Sequence, residues 1–290
     1  MTTTTELDAA PSLARLYASA PLAGLRGGDD LPDEQLVLRG VEIDRGHLAA
    51  YDRVCGLRFD EVLPATYLHV LAFPLSIRLL AAPRFPFALP GLVHVANRID
   101  HRRPVSAAEQ PTFRVWTQDL RPHPKGRQFD VIAEAEVDDE VVWTGVSTYL
   151  HRESGGSEEG GSSGGRGGKA DADLDPGPAT ARWRVPADTG RRYAAVSGDR
   201  NPIHLTSLTA KPFGFPRAIA HGMWTAGRAL AGLEGRLPAA FSYGVRFQTP
   251  LLLPSTVTFA ARQDAEGDWV LGVDAAKSGK PHLRGLIASD

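Results

Sequence analysis

Residues 193–204 read YAAVSGDRNPIH, and the first six of them repeat a pattern that the chain shows earlier, where residues 51–56 read YDRVCG. Both segments have the form Tyr-x-x-Val-x-Gly. In both halves a proline then stands five residues before a histidine, at positions 64 and 69 and again at 216 and 221. Coincidence is the alternative to a repeat, because the identities are few. If the match is real, the chain consists of two similar units.

The order of predicted elements is the same in both halves. Each half reads as a short strand, a polar helix, an irregular stretch, an apolar helix and several long strands. The predicted segments are a strand at 183–185, helices at 189–196 and 218–233, and strands at 241–247, 251–261 and 269–275 in the second half, with strands at 89–99, 112–119, 129–137 and 141–150 in the first. This order predicts an α+β fold with two antiparallel sheets, each wrapped around one central helix.

The segment between the halves has a different composition. Residues 152–180 consist mainly of glycine, serine, acidic residues and proline. Such a segment cannot bury enough apolar surface to offset the entropy lost on ordering it, so we expect a flexible linker. It separates an N-terminal domain, residues 1–151, from a C-terminal domain, residues 181–290.

The overall composition narrows the class of protein. With 290 residues, of which 42% are apolar, the chain can build two domains of ordinary size. A net charge of -2 gives no basic excess for nucleic acid or an anionic membrane. Cys55 is the only cysteine, which excludes an intrachain disulfide and fits a reducing compartment. The apolar run 68–80 is too short to span a membrane, so we expect a cytoplasmic protein without membrane insertion.

The halves differ after the shared glycine. Gly56 lies eight positions before the proline that follows it in the repeat, whereas Gly198 lies eighteen positions before its proline. The longer segment contains Asp199, Asn201 and His204, and the proline after Asn201 favours a rigid loop. Neutral imidazole can accept a proton at neutral pH, and burial can raise the pKa of an aspartic acid until it donates one. The loop is therefore a candidate site for acid/base chemistry on water.

Less specific roles for the same residues stay open. Asp199 and Asn201 suit an ordinary Asx turn, and His204 suits a hydrogen-bonded, partly buried histidine. A metal site made of these residues and His221 has no familiar ligand spacing, so neither a metal nor another cofactor is expected.

Two motifs in this region resemble a known family. Residues 197–204 have the pattern Ser-Gly-Asp-x-Asn-Pro-Ile-His, and residues 214–223 have the pattern Gly-Phe-x-x-x-Ile-x-His-Gly-Met. Together they resemble the hydratase signature of the MaoC-like family, the R-specific enoyl-CoA hydratases and (3R)-hydroxyacyl dehydratases with a hotdog fold. Residues 67–74 and 91–95 extend the resemblance into the first half. The chain looks like a double-hotdog member, a pseudo-dimer in which a degenerate N-terminal hotdog pairs with a catalytic C-terminal one.

The resemblance implies a mechanism without metal or cofactor. The enzyme would be a hydro-lyase of fatty-acid metabolism that hydrates trans-2-enoyl thioesters and dehydrates (3R)-hydroxyacyl thioesters. Asp199 and His204 would activate the water, and Asn201 would hold the loop. The backbone N–H of Gly222, at the start of the second apolar helix, would bind the thioester oxygen, as the unpaired N–H groups of a helix start can. The first half would supply the tunnel for the acyl chain.

Three further residues are candidates for substrate binding. Arg98 and Arg246 fall at similar places in the two halves, and a guanidinium suits the phosphates of coenzyme A or an acidic carrier protein. Phe213 suits a pocket wall. Solvated arginines and a core phenylalanine are the alternatives. For His221 we expect a packing or helix-start role, because its counterpart in the repeat, His69, lies in the half without the polar loop.

The expected partner is an acyl thioester of coenzyme A or acyl carrier protein, and no nucleic acid. The fused pair already supplies the hotdog dimer, so a homodimer of whole chains stays open. Two other functions also stay open. Hotdog folds hydrolyse acyl thioesters, so a thioesterase is one alternative, and a non-catalytic subunit of a heteromeric dehydratase is the other.

Overall fold

The computed structural model describes residues 2–19, 29–153 and 174–289. Most of the predicted linker, residues 152–180, lies outside the described residues. The helices are α1 Leu13–Ser19, α2 Arg45–Cys55, α3 Ala65–Leu80, α4 Thr189–Ser197, α5 Ser207–Ala210 and α6 Gly222–Ala231. The strands are β1 Thr3–Leu7, β2 Glu34–Leu38, β3 Leu92–His101, β4 Thr112–His123, β5 Gly126–Val137, β6 Glu140–Arg152, β7 Ala181–Val185, β8 Phe241–Phe247, β9 Ser255–Gln263, β10 Trp269–Ala275 and β11 Pro281–Ser289.

The strand order repeats from one half to the other. In the first half the order is β2-β4-β5-β6-β3, and in the second it is β7-β9-β10-β11-β8, so each strand has a counterpart at the same place. All neighbours within these two units are antiparallel. Strand β1 adds a parallel edge to β2. The topology is thus that of two equivalent sheets.

The two sheets join edge to edge. Strands β3 and β8 pair antiparallel, from Ala96 opposite Arg246 to His101 opposite Phe241. The result is one continuous sheet of 11 strands in the described parts of the chain. Each half covers the strand edge that the other would otherwise leave open to water.

The central helices pack inside this curved sheet. Helix α3 is apolar and buried on nearly all sides, which is the pattern of a helix in a core. The indole Nε1–H of Trp143 on β6 donates to the carbonyl of Ala65, the first residue of α3, at 2.9 Å. In the second half, the hydroxyl of Tyr243 on β8 donates to the carbonyl of Ala226 in α6, at 3.0 Å. Each sheet therefore wraps its own helix, as expected.

The polar helices α2 and α4 carry the repeated sequence pattern. The N-terminal end of α2 lies beside the C-terminal end of α4, since a ring nitrogen of His47 in α2 is 2.7 Å from the carbonyl oxygen of Val196 in α4. The first residues of the pattern, Tyr51 and Tyr193, are both buried and face each other with ring centroids 6.2 Å apart. The last residues, Gly56 and Gly198, both adopt the left-handed conformation that ends a helix, with φ of 74° and 71°.

Some predicted boundaries were wrong. Helix α6 begins at Gly222 instead of residue 218, because Ile219 is extended and bridges to Leu252. The last strand, β11, was not predicted. The proline–histidine spacing does not mark equal positions either, since α3 begins directly after Pro64, whereas α6 begins six residues after Pro216.

Among the residues described, none of the helices combines the length and the apolar character that crossing a lipid bilayer requires.

Candidate active site

The loop after α4 is fixed by its own polar side chains. The carboxylate of Asp199 accepts the backbone N–H of Asn201 at 3.1 Å, and the amide oxygen of Asn201 accepts the N–H of Ile203 at 3.3 Å. Asn201 caps a single 3-10 turn, Pro202–His204. The Asx turn that was an alternative to a functional role is therefore present. It is the device that orients the loop.

His204 has one ring nitrogen committed and one available. Its Nδ1 lies 2.9 Å from the carbonyl of Ile219, which can only accept, so Nδ1 carries the proton and donates. In the neutral ring Nε2 then has a free lone pair, and it lies 4.0 Å from Oδ2 of Asp199. The backbone of His204 rests against Gly190 in α4, where any Cβ would collide with its carbonyl oxygen. A glycine inside a helix lowers its stability, and that cost is the sequence signal that could have identified Gly190.

His221 completes the group and was not expected there. Its Nε2 donates to the backbone carbonyl of Asp199 at 3.0 Å and lies 3.7 Å from Oδ2 of the same residue. Its ring stacks on that of His204, with centroids 3.7 Å apart. His221 also occupies the position just before α6, so it has the predicted helix-start location and a place in the site. Its position directly before Gly222 was the available signal.

Gly222 is the first residue of α6. The first N–H groups of a helix have no partner within it and carry the positive end of its dipole, so an oxyanion is stabilised there. The ring of Phe247 on β8 covers this helix start, and a Cβ on Gly222 would lie 2.9 Å from three of the ring atoms. Only glycine allows this approach of the ring to the helix.

Tyr17 reaches the site from the other end of the chain. Its hydroxyl donates to Oδ1 of Asp199 at 2.9 Å, across 182 positions of sequence. Leu13, one turn earlier in α1, packs against Gly198 so closely that a Cβ there would collide with it. Helix α1 therefore lies over the Asp199 loop. No local pattern in the sequence indicated this contact.

The pKa of Asp199 is shifted in the direction opposite to the one predicted from burial. Burial alone raises the pKa of the Asp199 carboxyl, but the rings of His221 and His204, the N–H of Asn201 and the hydroxyl of Tyr17 outweigh it, and the pKa lies below its usual value. The prediction that Asp199 can be a proton donor at neutral pH was wrong. Burial lowers the pKa of His204, against the opposing effect of Asp199, and lowers that of His221 to about 3. The resting site is a carboxylate beside neutral imidazoles.

The first half supplies the opposite wall of the site. The ring of His94 on β3 stacks on Tyr149 of β6, with centroids 4.8 Å apart, and meets the edge of Phe247 at 5.2 Å. Its Nε2 is buried without a partner among the described residues. Burial lowers the pKa of His94 to about 3, and the charge of Asp199 acts on it in the opposite direction. The candidate site thus lies where the two halves meet.

The predicted binding residues lie apart from this group. Arg98 lies on β3 opposite Gly244, and Arg246 lies on β8 opposite Ala96. The residues beside them in sequence, such as Asn97 and Val245, point into the core, so both arginines lie on the outer face of the sheet. Arg98 pairs with Asp100 at 2.7 Å. Phe213 is 40% exposed in the turn after α5. Substrate contact by these three residues stays a prediction.

Three side chains offer metal-ligand atoms within 4.8 Å of one another: Asp199, His204 and His221. The lone pair of His204 Nε2 and one carboxylate oxygen are available. The Nε2 of His221 instead carries a proton for its bond to the Asp199 carbonyl, and the carboxylate already accepts two hydrogen bonds. These hydrogen bonds engage Nε2 of His221 and one carboxylate oxygen, whereas Nδ1 of His221 is buried without a partner among the described residues, and the expectation of a metal-free site stays a prediction.

Known proteins are similar to this chain in sequence and fold. The family described as the MaoC like domain matches residues 173–277. The 3-hydroxyacyl-thioester dehydratase X of Mycobacterium tuberculosis is 39% identical over 265 residues, which are 89% of this chain and 90% of that protein. The crystal structure of HtdX of the same organism matches with a TM-score of 0.76 at 36% identity, over 87% of this chain and 98% of that one.

A second structure shows the likeness of fold alone. A conserved hypothetical protein of Mycobacterium tuberculosis with a double hotdog fold matches at a TM-score of 0.53 and 14% identity, over 91% of this chain and 98% of that one. The predicted fold class, two hotdog units in one chain, is confirmed. By its similarity to the dehydratase over nearly the whole length of both proteins, the chain belongs to the MaoC-like dehydratase family.

Proposed function

We propose that this chain is a hydro-lyase that adds water to trans-2-enoyl thioesters and removes it from 3-hydroxyacyl thioesters. The observation that carries the proposal is the gap of 4.0 Å between Oδ2 of Asp199 and Nε2 of His204, beside the helix start at Gly222. A water oxygen that lies about 2.8 Å from both atoms fits this gap and hydrogen-bonds to each. A quarter of the Asp199 side chain, 24%, stays exposed, which leaves a path for the water.

The two carboxylate oxygens of Asp199 and the ring of His204 have different roles in hydration. The hydroxyl of Tyr17 and the N–H of Asn201 hold Oδ1 of Asp199, so that Oδ2 is left for the water. As the water oxygen bonds to C3, one water proton moves to Nε2 of His204, and the nearby carboxylate stabilises the imidazolium. The same proton then passes from Nε2 to C2. Hydroxyl and hydrogen both come from one water and arrive on one face, and the reverse sequence dehydrates the product.

The start of α6 stabilises the charge that develops during the addition. Attack at C3 moves electron density onto the thioester oxygen, and the N–H of Gly222 is placed to receive it as a hydrogen-bond donor. Preorganised donors of this kind contribute on the order of 100-fold or more to the rate. The ring of Phe247 packs against this helix start on the side where a Cβ of residue 222 would lie.

Other features of the proposal rest on the relatives and on the two-unit fold. The relatives are named a 3-hydroxyacyl-thioester dehydratase and a 3-hydroxybutyryl-CoA dehydratase, which supports an acyl thioester as substrate. We propose R stereochemistry at C3 of the product and either coenzyme A or acyl carrier protein as the carrier. We further propose that the first half forms the tunnel for the acyl chain and that the second half carries the catalytic residues. A cytoplasmic location, supported by the single buried Cys55, belongs to the same proposal.

A product analysis tests the function. Crotonyl-CoA is incubated with the wild-type protein and with His204→Ala, and the products are separated by mass and by C3 configuration. We expect (3R)-hydroxybutyryl-CoA from the wild type and almost none from the variant. Release of free coenzyme A instead of a hydroxyacyl product would identify a thioesterase, and turnover by His204→Ala at the wild-type rate would exclude the proposed base.

A further inference from the structure

A second concave site lies away from the Asp199 loop. It is a concave site of about 260 Å³, open to solvent, between the C-terminal end of α2 and the N-terminal end of α4, and residues of β7 and α6 also line it. Four arginines line it, and no acidic residue of the described parts of the chain does. We call it the arginine cavity; its arginines are Arg53, Arg184, Arg192 and Arg228.

The charges of the arginine cavity are not neutralised by the protein. None of its four guanidinium groups forms an ion pair or a side-chain hydrogen bond with another residue in the described parts of the chain. Several arginines elsewhere are paired with acids, and Arg45, Arg103 and Arg114 each lie within 3.2 Å of a glutamate oxygen. Four like charges around one small cavity repel each other, and an anion between them relieves the repulsion.

One wall of the cavity is held rigidly. The guanidinium of Arg228 lies 4.3 Å from the ring centre of Trp183 and packs against Gly56, where a Cβ would come within 3.2 Å of it. Trp224, which also lines the cavity, is fixed by a 3.0 Å hydrogen bond from its indole Nε1–H to the carbonyl of Val54. The start of α4 at Thr189 adds the positive end of one helix dipole, and the end of α2 at Gly56 adds the negative end of another, so the net positive charge comes from the arginines. The ligand therefore meets a prepared surface.

The charge and the size of the cavity define the class of ligand. Pockets for whole drug-sized ligands have volumes of roughly 300 to 1,000 Å³, so this cavity suits a part of a molecule. Guanidinium groups bind phosphate oxygens through paired, charge-assisted hydrogen bonds, and the indole ring of Trp224 offers an apolar side. We infer that the arginine cavity binds the phosphate groups of an organic phosphate, which is held at a site separate from the Asp199 loop.

Thermal unfolding with inorganic pyrophosphate tests the inference without any use of the enzyme activity. Wild-type protein is compared with Arg184→Gln/Arg192→Gln and with a control, Arg182→Gln/Arg262→Gln, which removes two exposed arginines that do not line the cavity. Pyrophosphate should raise the Tm of the wild type and of the control by about 2 to 4 °C, and the rise should shrink with added salt. The cavity variant should show almost no rise.

Two results would overturn the inference. One is a wild-type Tm that pyrophosphate leaves unchanged, and the other is an equal rise in the wild type and in the cavity variant. Because the readout is stability, the inference can fail while the proposed hydration stands, and hydration can fail while pyrophosphate still binds.

A kinetic comparison separates two sources of the phosphate, and this part alone rests on the proposed function. Crotonyl-CoA carries phosphates, whereas crotonyl-pantetheine has the same reacting end and none. If the cavity holds the phosphates of the substrate, Arg184→Gln/Arg192→Gln should raise KM about tenfold for crotonyl-CoA and leave KM for crotonyl-pantetheine unchanged. If the ligand is a free organic phosphate, both KM values should stay at the wild-type level while the Tm effect of pyrophosphate is lost.

Discussion

Helices α2 and α4 end in the same way and lead into different chemistry. Each ends at a left-handed glycine that the repeat places at the same point, Gly56 and Gly198. After Gly198 the chain forms the Asp199 loop, with a carboxylate and two imidazoles. Around Gly56 lies the arginine cavity, with four guanidinium groups and no acid among the described residues that line it. The comparison teaches that the repeat keeps the backbone the same at its two equivalent helix ends, while the side chains gathered there differ in charge and chemistry.

The strongest test of this difference exchanges an aspartate for its amide in each loop. Asp199→Asn keeps the shape of the side chain but removes the charge that orients the water and stabilises the imidazolium. We expect kcat for crotonyl-CoA hydration to fall by about 100- to 10,000-fold. Asp60→Asn makes the same change in the loop after α2, where the side chain accepts the N–H of Val62, and should leave kcat unchanged. Equal losses in the two variants would remove the asymmetry between the loops.

The starts of the central helices give the second test. Helix α3 begins at Ala65, whereas α6 begins at Gly222 beneath the ring of Phe247. In Gly222→Ala the new Cβ meets the ring at 2.9 Å and moves either the ring or the N–H of the helix start. We expect kcat to fall by roughly 100-fold with a smaller change in KM. The control is Gly244→Ala, whose Cβ has no neighbour within 4 Å, and a comparable loss there would point to a general effect of the added methyl group.

The pH profile provides the third test, through Tyr17. The hydroxyl of Tyr17 helps to lower the pKa of Asp199, so its removal in Tyr17→Phe raises that pKa. Asp199 then takes up a proton at a higher pH than in the wild type. As the pH is lowered, kcat/KM of the variant should therefore begin to fall at a higher pH than kcat/KM of the wild type. At pH 8 we expect kcat/KM of the variant to be lower than that of the wild type by about tenfold or less.

Tyr243→Phe is the matched control for this profile. It also removes a buried phenol hydroxyl with one hydrogen bond, to the carbonyl of Ala226, and that bond does not involve Asp199. Its acidic limb should coincide with the wild-type limb. If Tyr17→Phe shows no shift either, the hydroxyl of Tyr17 has no influence on the carboxylate in solution.

The smallest expected effect concerns the second residue of the repeated pattern, which is Asp52 in α2 and Ala194 in α4. Asp52 is buried, and neither of its carboxylate oxygens has a partner among the described residues. Burial raises its pKa to about 7, so the folded protein holds a proton that the unfolded chain releases from about pH 4 upward. The free energy of unfolding should therefore fall as the pH rises from about 4 to 7.

Replacement of Asp52 by its counterpart tests this directly. Asp52→Ala should raise Tm by about 2 to 4 °C at pH 8, and the gain should vanish toward pH 4. Ala194→Asp, the reverse exchange, should introduce the same pH dependence into the second half. A Tm difference between Asp52→Ala and the wild type that is constant over this pH range would show that the carboxyl does not titrate as inferred.

Local sequence patterns predicted the fold well and the site in part. The strands at 241–247 and 269–275 were predicted to the residue, because alternating apolar residues are flanked by turn residues there. Asp199, Asn201 and His204 stood out because they lie together in the segment that only one half contains. The start of α6 was predicted four residues too early. Ile219 forms a β-bridge with Leu252, in the segment before β9, and this tertiary contact holds residues of helix-forming composition in an extended conformation.

Contacts between distant segments could not be predicted from local patterns. Tyr17 meets Asp199 across 182 positions, and the arginine cavity combines Arg53 with three arginines of the other half. The lowered pKa of Asp199 likewise depends on donors from three parts of the chain. These features exist only after the halves have packed together.

The pairing of β3 with β8 has a consequence for how such a protein can change over generations. In a symmetric dimer one gene encodes both partners, so every mutation appears on both sides of the interface and must suit both. Here the strands that meet at Ala96 and Arg246 belong to one chain, and a mutation in either half appears once. The water-activating loop can therefore stay under selection in one half, while the equivalent helix end at Gly56 in the other half is free to change.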